Sequence, residues 1–217
     1  MSTITGAESL ADRLRDLGDI PLDRVRAHPP MGTATFDDLV TANSDRSKAL
    51  CELVDQTLVE KAMGYEASIV AITIARILSL YVSRQKLGLI SGADGFFRLP
   101  SSDTRGPDVA FVSRERLRSV SVPDEAYPAI APDLVVEVLS PGNTPAEMTR
   151  KRLEYFNSGV RIVWIVDCRR RSVGVYTSPD AHTVLDESAT IDGGDVLPEF
   201  TSAVAEFFAD LDVDWQE

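Results

Sequence analysis

The chain has 217 residues, of which 44% are hydrophobic and 26% are charged, as in an ordinary soluble globular domain. Its formal net charge of -12 argues against strong non-specific binding of nucleic acid over a broad surface. The chain has two cysteines and no CxxC pair, which argues against a disulfide framework and against a zinc cluster. Its two histidines lie away from any nucleophile motif, which argues against Ser-His-Asp chemistry.

The first part of the chain predicts an arm, a hairpin and a long helix. Residues 1–34 are charged and interrupted by proline, without an apolar signal segment, so we expect an N-terminal arm on a cytoplasmic protein. Short helices are predicted at residues 7–17 and 35–40, and a β-hairpin at residues 50–60. A helix is predicted over residues 65–85. Arg76 interrupts its apolar run, which is short for a bilayer, so we interpret it as a buried helix and expect no membrane association.

The second part predicts strands with one helix between them. The strands are expected at residues 89–91, 96–99, 109–112, 134–139, 160–167, 173–176 and 183–185. Pro145 fits the first turn of a helix over residues 146–157, and a last helix is predicted at 202–210. The strand–helix–strand order around residues 133–167 predicts one crossover in a mixed sheet. An acidic tail follows at residues 209–217.

Two carboxylates lie beside or within apolar strands. Asp108 precedes the run at 109–112, and Glu137 lies inside the run at 134–139. A bare carboxylate in a buried strand is costly unless it is paired or coordinates a metal, and a hard cation there could serve phosphodiester hydrolysis. Helix spacing puts Glu147, Lys151 and Tyr155 on one side of the next helix. Lys151 could therefore lean toward the Glu137 strand or form a surface ion pair with Glu147.

In order and spacing, these segments resemble the Uma endonuclease family, a branch of the PD-(D/E)XK restriction-endonuclease-like superfamily. The matching segments are Pro107-Asp108 and residues 132–141, 151–155, 159–167 and 193–198, with weaker similarity over 52–65. The resemblance implies an α/β fold, a restriction-endonuclease-like mixed β-sheet flanked by helices, over residues 35–208.

The resemblance also implies roles for individual residues. Asp108, Glu137 and the Val138 carbonyl would bind Mg²⁺ or Mn²⁺. The superfamily's in-strand lysine is replaced by Leu139 here, and Lys151 would take its place, orienting water or stabilising the transition state. Glu66 is the candidate for an assisting helix carboxylate. Its alternative role is that of an acidic residue favouring a helix N-terminus.

Together these features predict a metal-dependent nuclease acting on phosphodiester bonds of nucleic acid, with DNA as the first candidate. The substrate would lie in a local basic groove, for which residues 150–152 and 169–171 are candidates unless they form solvated surface. Cutting both strands of a duplex would suit a homodimer. The alternative is a non-catalytic interaction or regulatory module with the same fold, which the missing in-strand lysine and the acidic surface favour.

Overall fold

The computed structural model describes residues 9–45, 48–101, 103–120 and 125–213. The helices are α1 (Leu10–Asp16), α2 (Phe36–Ser44), α3 (Tyr65–Gln85), α4 (Arg114–Leu117) and α5 (Pro145–Asn157), with 3-10 turns at Leu22–Arg24, Val204–Phe207 and Ala209–Leu211. The strands are β1 (Cys51–Val54), β2 (Thr57–Glu60), β3 (Gly88–Ser91), β4 (Phe97–Arg98), β5 (Thr104–Arg105), β6 (Val109–Ser113), β7 (Leu134–Val138), β8 (Ile162–Asp167), β9 (Ser172–Tyr176), β10 (His182–Asp186), β11 (Thr190–Gly193) and β12 (Leu197–Ala203).

A six-stranded sheet with the order β10-β9-β8-β7-β6-β3 forms the centre of the fold. Strands β7 and β8 are parallel and are joined through α5, whereas the other neighbours in this sheet are antiparallel. This arrangement confirms the predicted mixed sheet with helices beside it. It also makes β6 and β7, the strands next to the two candidate carboxylates, direct neighbours.

A smaller sheet with the order β2-β1-β5-β4 lies beside the central one. Strands β1 and β2 form the predicted hairpin, with Val54 opposite Thr57. Its turn residues Asp55 and Gln56 both have left-handed backbone angles, with φ of 42° and 53°. This conformation matches the right-handed twist of the strands, so the hairpin forms without the usual Asn-Gly or Asp-Gly dipeptide.

Helix α3 covers one face of the central sheet. It is long and apolar enough to cross a membrane. However, Val70, Ile74, Leu78 and Val82 are buried at spacings of three or four residues and pack in a core that also holds Trp164. The interpretation as a buried helix therefore agrees with its packing against the sheet.

The helix predicted at residues 202–210 is wrong. The chain continues as strand β12 to Ala203, pairs with β11, and then forms two short 3-10 turns. Phe200 and Ser202 are buried while Thr201 and Ala203 are exposed, which is the two-residue period of a strand. Strand β11, which the sequence analysis did not predict, supplies the backbone partner for this segment.

The described part of the N-terminal arm packs against the hairpin and α5. Leu17 and Ile20 are buried with Val54 and Val59 of the hairpin. The Arg24 guanidinium donates two hydrogen bonds to the Glu147 carboxylate, at 2.8 and 2.9 Å. Residues 7 and 8 of the first predicted helix and residues 214–217 of the acidic tail lie outside the described residues.

Candidate active site

The backbone register brings Asp108 and Glu137 together. In β7, Leu134, Val136 and Val138 pack into the core under α3, so Glu137 points to the opposite face. Val109 of β6 stands opposite Val136 of β7, so Asp108, the residue before Val109, and Glu137, the residue after Val136, lie at the same end of the two strands. Asp108 Oδ2 also accepts a hydrogen bond of 2.8 Å from the Val138 N–H. Both carboxylates are thereby held at the same end of neighbouring strands.

Helix α5 presents Lys151 and Tyr155 to Glu137. Thr144 caps the helix in a capping box with Glu147, and Pro145 occupies the first turn. Lys151 Nζ lies 3.2 and 3.1 Å from the two Glu137 carboxylate oxygens, and the Tyr155 hydroxyl donates a hydrogen bond of 2.6 Å to Oε1. Lys151 is only 4% exposed. It is therefore a buried cation and not half of a surface pair with Glu147, which binds Arg24 instead.

Glu52 is a member of this cluster that the sequence analysis did not identify. Its Oε1 lies 3.3 Å from Lys151 Nζ and accepts the Gly106 N–H, while its Oε2 accepts a hydrogen bond from Arg105. Arg105 also pairs with Glu154 of α5 at 2.6 Å. Lys151 thus contacts one carboxylate from each sheet, Glu52 of the smaller sheet and Glu137 of the central sheet. Glu52 could have been predicted from the sequence, because it is a charged residue inside the short apolar strand β1, and the same pattern identified Glu137 as a candidate.

Burial and neighbouring charges set the protonation of this cluster. Burial raises the pKa of Glu137 to about 7; the Asp108 and Glu52 charges add to this rise and Lys151 opposes it. Burial would also raise the pKa of Glu52, but Lys151 and Arg105 outweigh it and lower that pKa to about 2. Burial disfavours protonated Lys151, yet Glu137 and Glu52 raise its pKa. Glu52 and Lys151 are thus charged at neutral pH, while burial makes Glu137 the more weakly acidic of the two carboxyls that contact Lys151.

A groove of about 670 Å³ lies next to Asp108, between the start of α3 and the β3–β4 loop. Asp108, Lys61, Ser140 and Ala67 are among the residues that line it. Glu66 is exposed and does not line the groove. Successive helix residues point in different directions, so the neighbouring Ala67 takes the inward position. The Glu66 and Asp108 charges nevertheless both contribute to raising the pKa of the buried Cys168 thiol, so Glu66 lies near the site without joining the contacts around Lys151.

The donor set suits a hard divalent cation. No group of three or more His, Cys, Asp or Glu side chains is arranged as a metal site among the described residues. Mg²⁺, however, commonly keeps several waters and uses only one or two carboxylates. Asp108, Glu137 and the Val138 carbonyl offer oxygen atoms alone, which fits Mg²⁺ or Mn²⁺.

Arginines of the two candidate basic groups are paired with acidic side chains. Arg150 contacts Asp55 and Glu154 at 2.7 and 2.5 Å, and Arg171 contacts Asp212 at 2.5 Å. Asp167 accepts the Arg170 N–H and so caps the turn after β8. Much of the positive charge in these groups is therefore neutralised by the protein itself.

The chain is similar to one protein family and to a solved structure. The family model Uma2, described as "Putative restriction endonuclease", matches residues 34–205. No curated protein matches the chain. A crystal structure from Anabaena variabilis, described as a "putative nuclease belonging to DUF820", superimposes with a TM-score of 0.70 at 18% sequence identity. The match covers 81% of this chain and 97% of that one, and it establishes a shared fold.

Proposed function

The chain belongs to the Uma2 family, and we propose from this premise that it is a metal-dependent nuclease that hydrolyses phosphodiester bonds, with DNA as the first candidate substrate. The observation that carries the proposal is that Asp108 and Glu137 lie at the same end of neighbouring strands, with Glu137 beside a buried lysine. A core built only for stability would not need these charges together, because buried ion pairs rarely add net stability over apolar packing.

The metal ligands in this proposal are Asp108, Glu137 and the Val138 carbonyl. When bound, Mg²⁺ or Mn²⁺ supplies positive charge that polarises the phosphate and favours ionisation of a water molecule. The Val138 N–H orients Asp108, and the Tyr155 hydroxyl orients Glu137. Such outer contacts hold the carboxylates in place before a cation arrives.

In this proposal, Lys151 supplies the positive charge that the aliphatic Leu139 side chain lacks. During hydrolysis a water oxygen attacks phosphorus and the bond to the leaving ester oxygen breaks, while negative charge builds up on the phosphoryl oxygens. A fixed ammonium in a site shielded from water stabilises that charge more than it would in bulk solvent. Through its contacts with both Glu137 oxygens, Lys151 also favours the ionised carboxylate that a cation requires.

Substrate binding must overcome the charge of the protein. With a net charge of -12 and arginines paired internally, phosphate binding would depend on the bound cation and on the few cationic side chains near it. The groove next to Asp108 is lined by one lysine, Lys61, and two aspartates, Asp94 and Asp108, among mostly apolar residues. We propose that the substrate binds in this groove through the cation and Lys61, and that a homodimer would present two such sites to the strands of a duplex.

A non-catalytic interaction module is the second candidate. Two observations favour it: Ala67 takes the inward position beside Glu66, and both Glu137 oxygens already have partners in the protein. A binding module would keep the fold and the charge network without turnover.

The decisive experiment is metal titration by calorimetry on wild type and Asp108→Ala, followed by incubation with a panel of DNA and RNA substrates. The nuclease proposal expects metal binding and cleavage by wild type and loss of both in the variant. Metal binding without cleavage across the panel would favour the interaction module. Absence of metal binding by wild type would overturn the metal site.

A further inference from the structure

The site has a second lysine that differs from Lys151 in its position. Lys61 follows strand β2, and its Nζ lies 3.6 Å from Asp108 Oδ1. Lys61 lines the groove, whereas Lys151 lies among Glu137, Glu52 and Tyr155 and is not part of the groove lining. Of these two cations, Lys61 is the one that a molecule in the groove can touch.

The ammonium of Lys61 has three neighbours in the described structure. It donates a hydrogen bond of 2.6 Å to the Ala93 carbonyl, lies 3.6 Å from Asp108 Oδ1 and lies 5.9 Å from the centre of the Phe96 ring. An ammonium has three N–H donors, and the contacts with Asp108 and Phe96 are longer than hydrogen bonds, so a donor remains for a further acceptor. The Lys61 side chain is about 10% exposed, which keeps the charge partly shielded from solvent while one side of it meets the groove.

We propose that Lys61 is a catalytic residue of this site and that its ammonium binds a non-bridging oxygen of the phosphate undergoing hydrolysis. This inference rests on the proposed nuclease function and extends it to a residue that contacts substrate. A cation bound at Asp108 would compete with Lys61 for the carboxylate and leave the ammonium available to the phosphate. Lys61 transfers no proton in this role; it stabilises charge on an oxygen that stays bonded to phosphorus.

The groove has a further feature that suits a phosphate. Gly64, the N-cap residue of α3, lines the groove, and no side chain in the described part of the chain caps the first N–H groups of this helix. A Cβ at Gly64 would approach Ser140 Oγ to 3.2 Å, so glycine keeps this edge of the groove open. Free N–H groups and the positive end of a long helix add to the attraction that Lys61 exerts on an anion.

The test compares Lys61→Met and Lys61→Arg with Lys48→Met, which removes an exposed lysine paired only at the surface with Asp45. Binding of a short labelled DNA duplex, and of its single strand, is followed by fluorescence anisotropy with Ca²⁺ in place of Mg²⁺ over a series of salt concentrations. Loss of one phosphate contact should lower the slope of log K against log salt by about 1 for Lys61→Met. Lys61→Arg and Lys48→Met should keep the wild-type slope.

Two further measurements separate a substrate contact from a structural role. Calorimetry should show Ca²⁺ affinity unchanged or higher in Lys61→Met, because a positive charge near Asp108 is lost while the ligands remain. With Mg²⁺, kcat should fall by about 10²-fold, the scale seen for one electrostatic donor. Thermal melting confirms that the variant is folded; if Lys61→Met is not, Lys61→Gln takes its place.

The outcomes distinguish this inference from the function it rests on. If wild type cleaves DNA but Lys61→Met retains its salt slope and kcat, Lys61 does not touch the phosphate, and the nuclease proposal stands. If wild type binds metal but neither duplex nor single strand, the substrate proposal and the role of Lys61 both fail. If Lys48→Met lowered the slope of log K against log salt as much as Lys61→Met, the effect would reflect general charge attraction, and the inference would also be overturned.

Discussion

The two faces of β7 are built from alternate residues of the same strand, and they differ in one residue. On one face, Leu134, Val136 and Val138 pack under α3 with Trp164 in an apolar core. On the other face, Val135 also packs in an apolar cluster, with Tyr155 and Val163, but Glu137 meets Lys151 under α5. Strand β7 is buried on both faces along its whole length, so burial alone does not distinguish them.

The difference shows that the residues of the apolar core and the residues proposed for catalysis lie on opposite faces of the same strand. The apolar face gains free energy in proportion to the area removed from water. The charged cluster on the other face contains ions whose desolvation is offset by their mutual pairing and by the Tyr155 hydroxyl, and burial still raises the pKa of Glu137 to about 7. Substitutions in the apolar core should therefore change stability alone, whereas substitutions in the charged cluster should change metal binding, catalysis or stability.

Glu137→Gln should remove metal-dependent cleavage in a protein that still folds, although with a lower free energy of unfolding because Lys151 loses one of its two carboxylate partners. The amide keeps the shape of the side chain but loses the negative charge that a hard cation prefers. Cleavage of the nucleic-acid panel and circular dichroism would be measured beside Glu187→Gln, which removes a partly exposed carboxylate of the surface pair with Arg171. Cleavage by Glu137→Gln at the wild-type rate would refute the assignment of Glu137 as a ligand.

Glu52→Gln should lower the free energy of unfolding by about 3–5 kcal/mol, the cost of removing one partner from a buried ion pair. Both Arg105 and Lys151 lose a negative charge at contact distance. Urea denaturation at neutral pH measures the change. A loss below about 1 kcal/mol, typical of an exposed pair, would mean that the network relaxes easily and that the two faces differ less than proposed.

Lys151→Met should lower kcat by about 10²- to 10³-fold. It should also move the acidic limb of the pH–rate profile upward. Protonated Glu137 cannot bind the cation, so activity falls as pH drops through its pKa of about 7. Because Lys151 opposes the rise of that pKa, its removal raises the pKa further.

The double variant Leu139→Lys with Lys151→Met tests whether the charge can return to the strand. It should restore part of the lost rate, since Leu139 stands at the lysine position of the superfamily motif. Unchanged pH profiles in Lys151→Met, or no recovery in the double variant, would contradict the role proposed for Lys151.

Ile74→Val should have the smallest effect, lowering stability by about 0.5–1.5 kcal/mol without changing metal affinity or kcat. Ile74 is fully buried under the apolar face and shares no contact with the charged cluster in the described structure. Denaturation, calorimetry and cleavage assays on one preparation measure all three quantities. A marked loss of metal affinity would show that the two faces are coupled through β7.

Periodicity and local chemistry made much of this structure predictable from the sequence. The apolar run around Glu137 indicated a buried strand with a carboxylate inside it, and the apolar run of α3 indicated a buried helix. The helix over residues 146–157 was expected from Pro145, and the structure shows it as α5 with its capping box. These features depend on residues a few positions apart, so a single sequence contains the information needed to predict them.

Contacts between distant segments were decided only by the tertiary structure. Arg24 binds Glu147, which is 123 residues away in the sequence, and Glu52 binds Arg105, which is 53 residues away. Lys61, which follows a strand of the smaller sheet, lies beside Asp108, which precedes a strand of the central sheet. Strand β12 likewise depends on its partner β11. A charged side chain in an apolar strand shows that a partner is required, because an unpaired buried charge is too costly to persist. Which charge becomes that partner depends on how sheets and helices pack, since pairing energy depends on distance in space and not on separation along the chain.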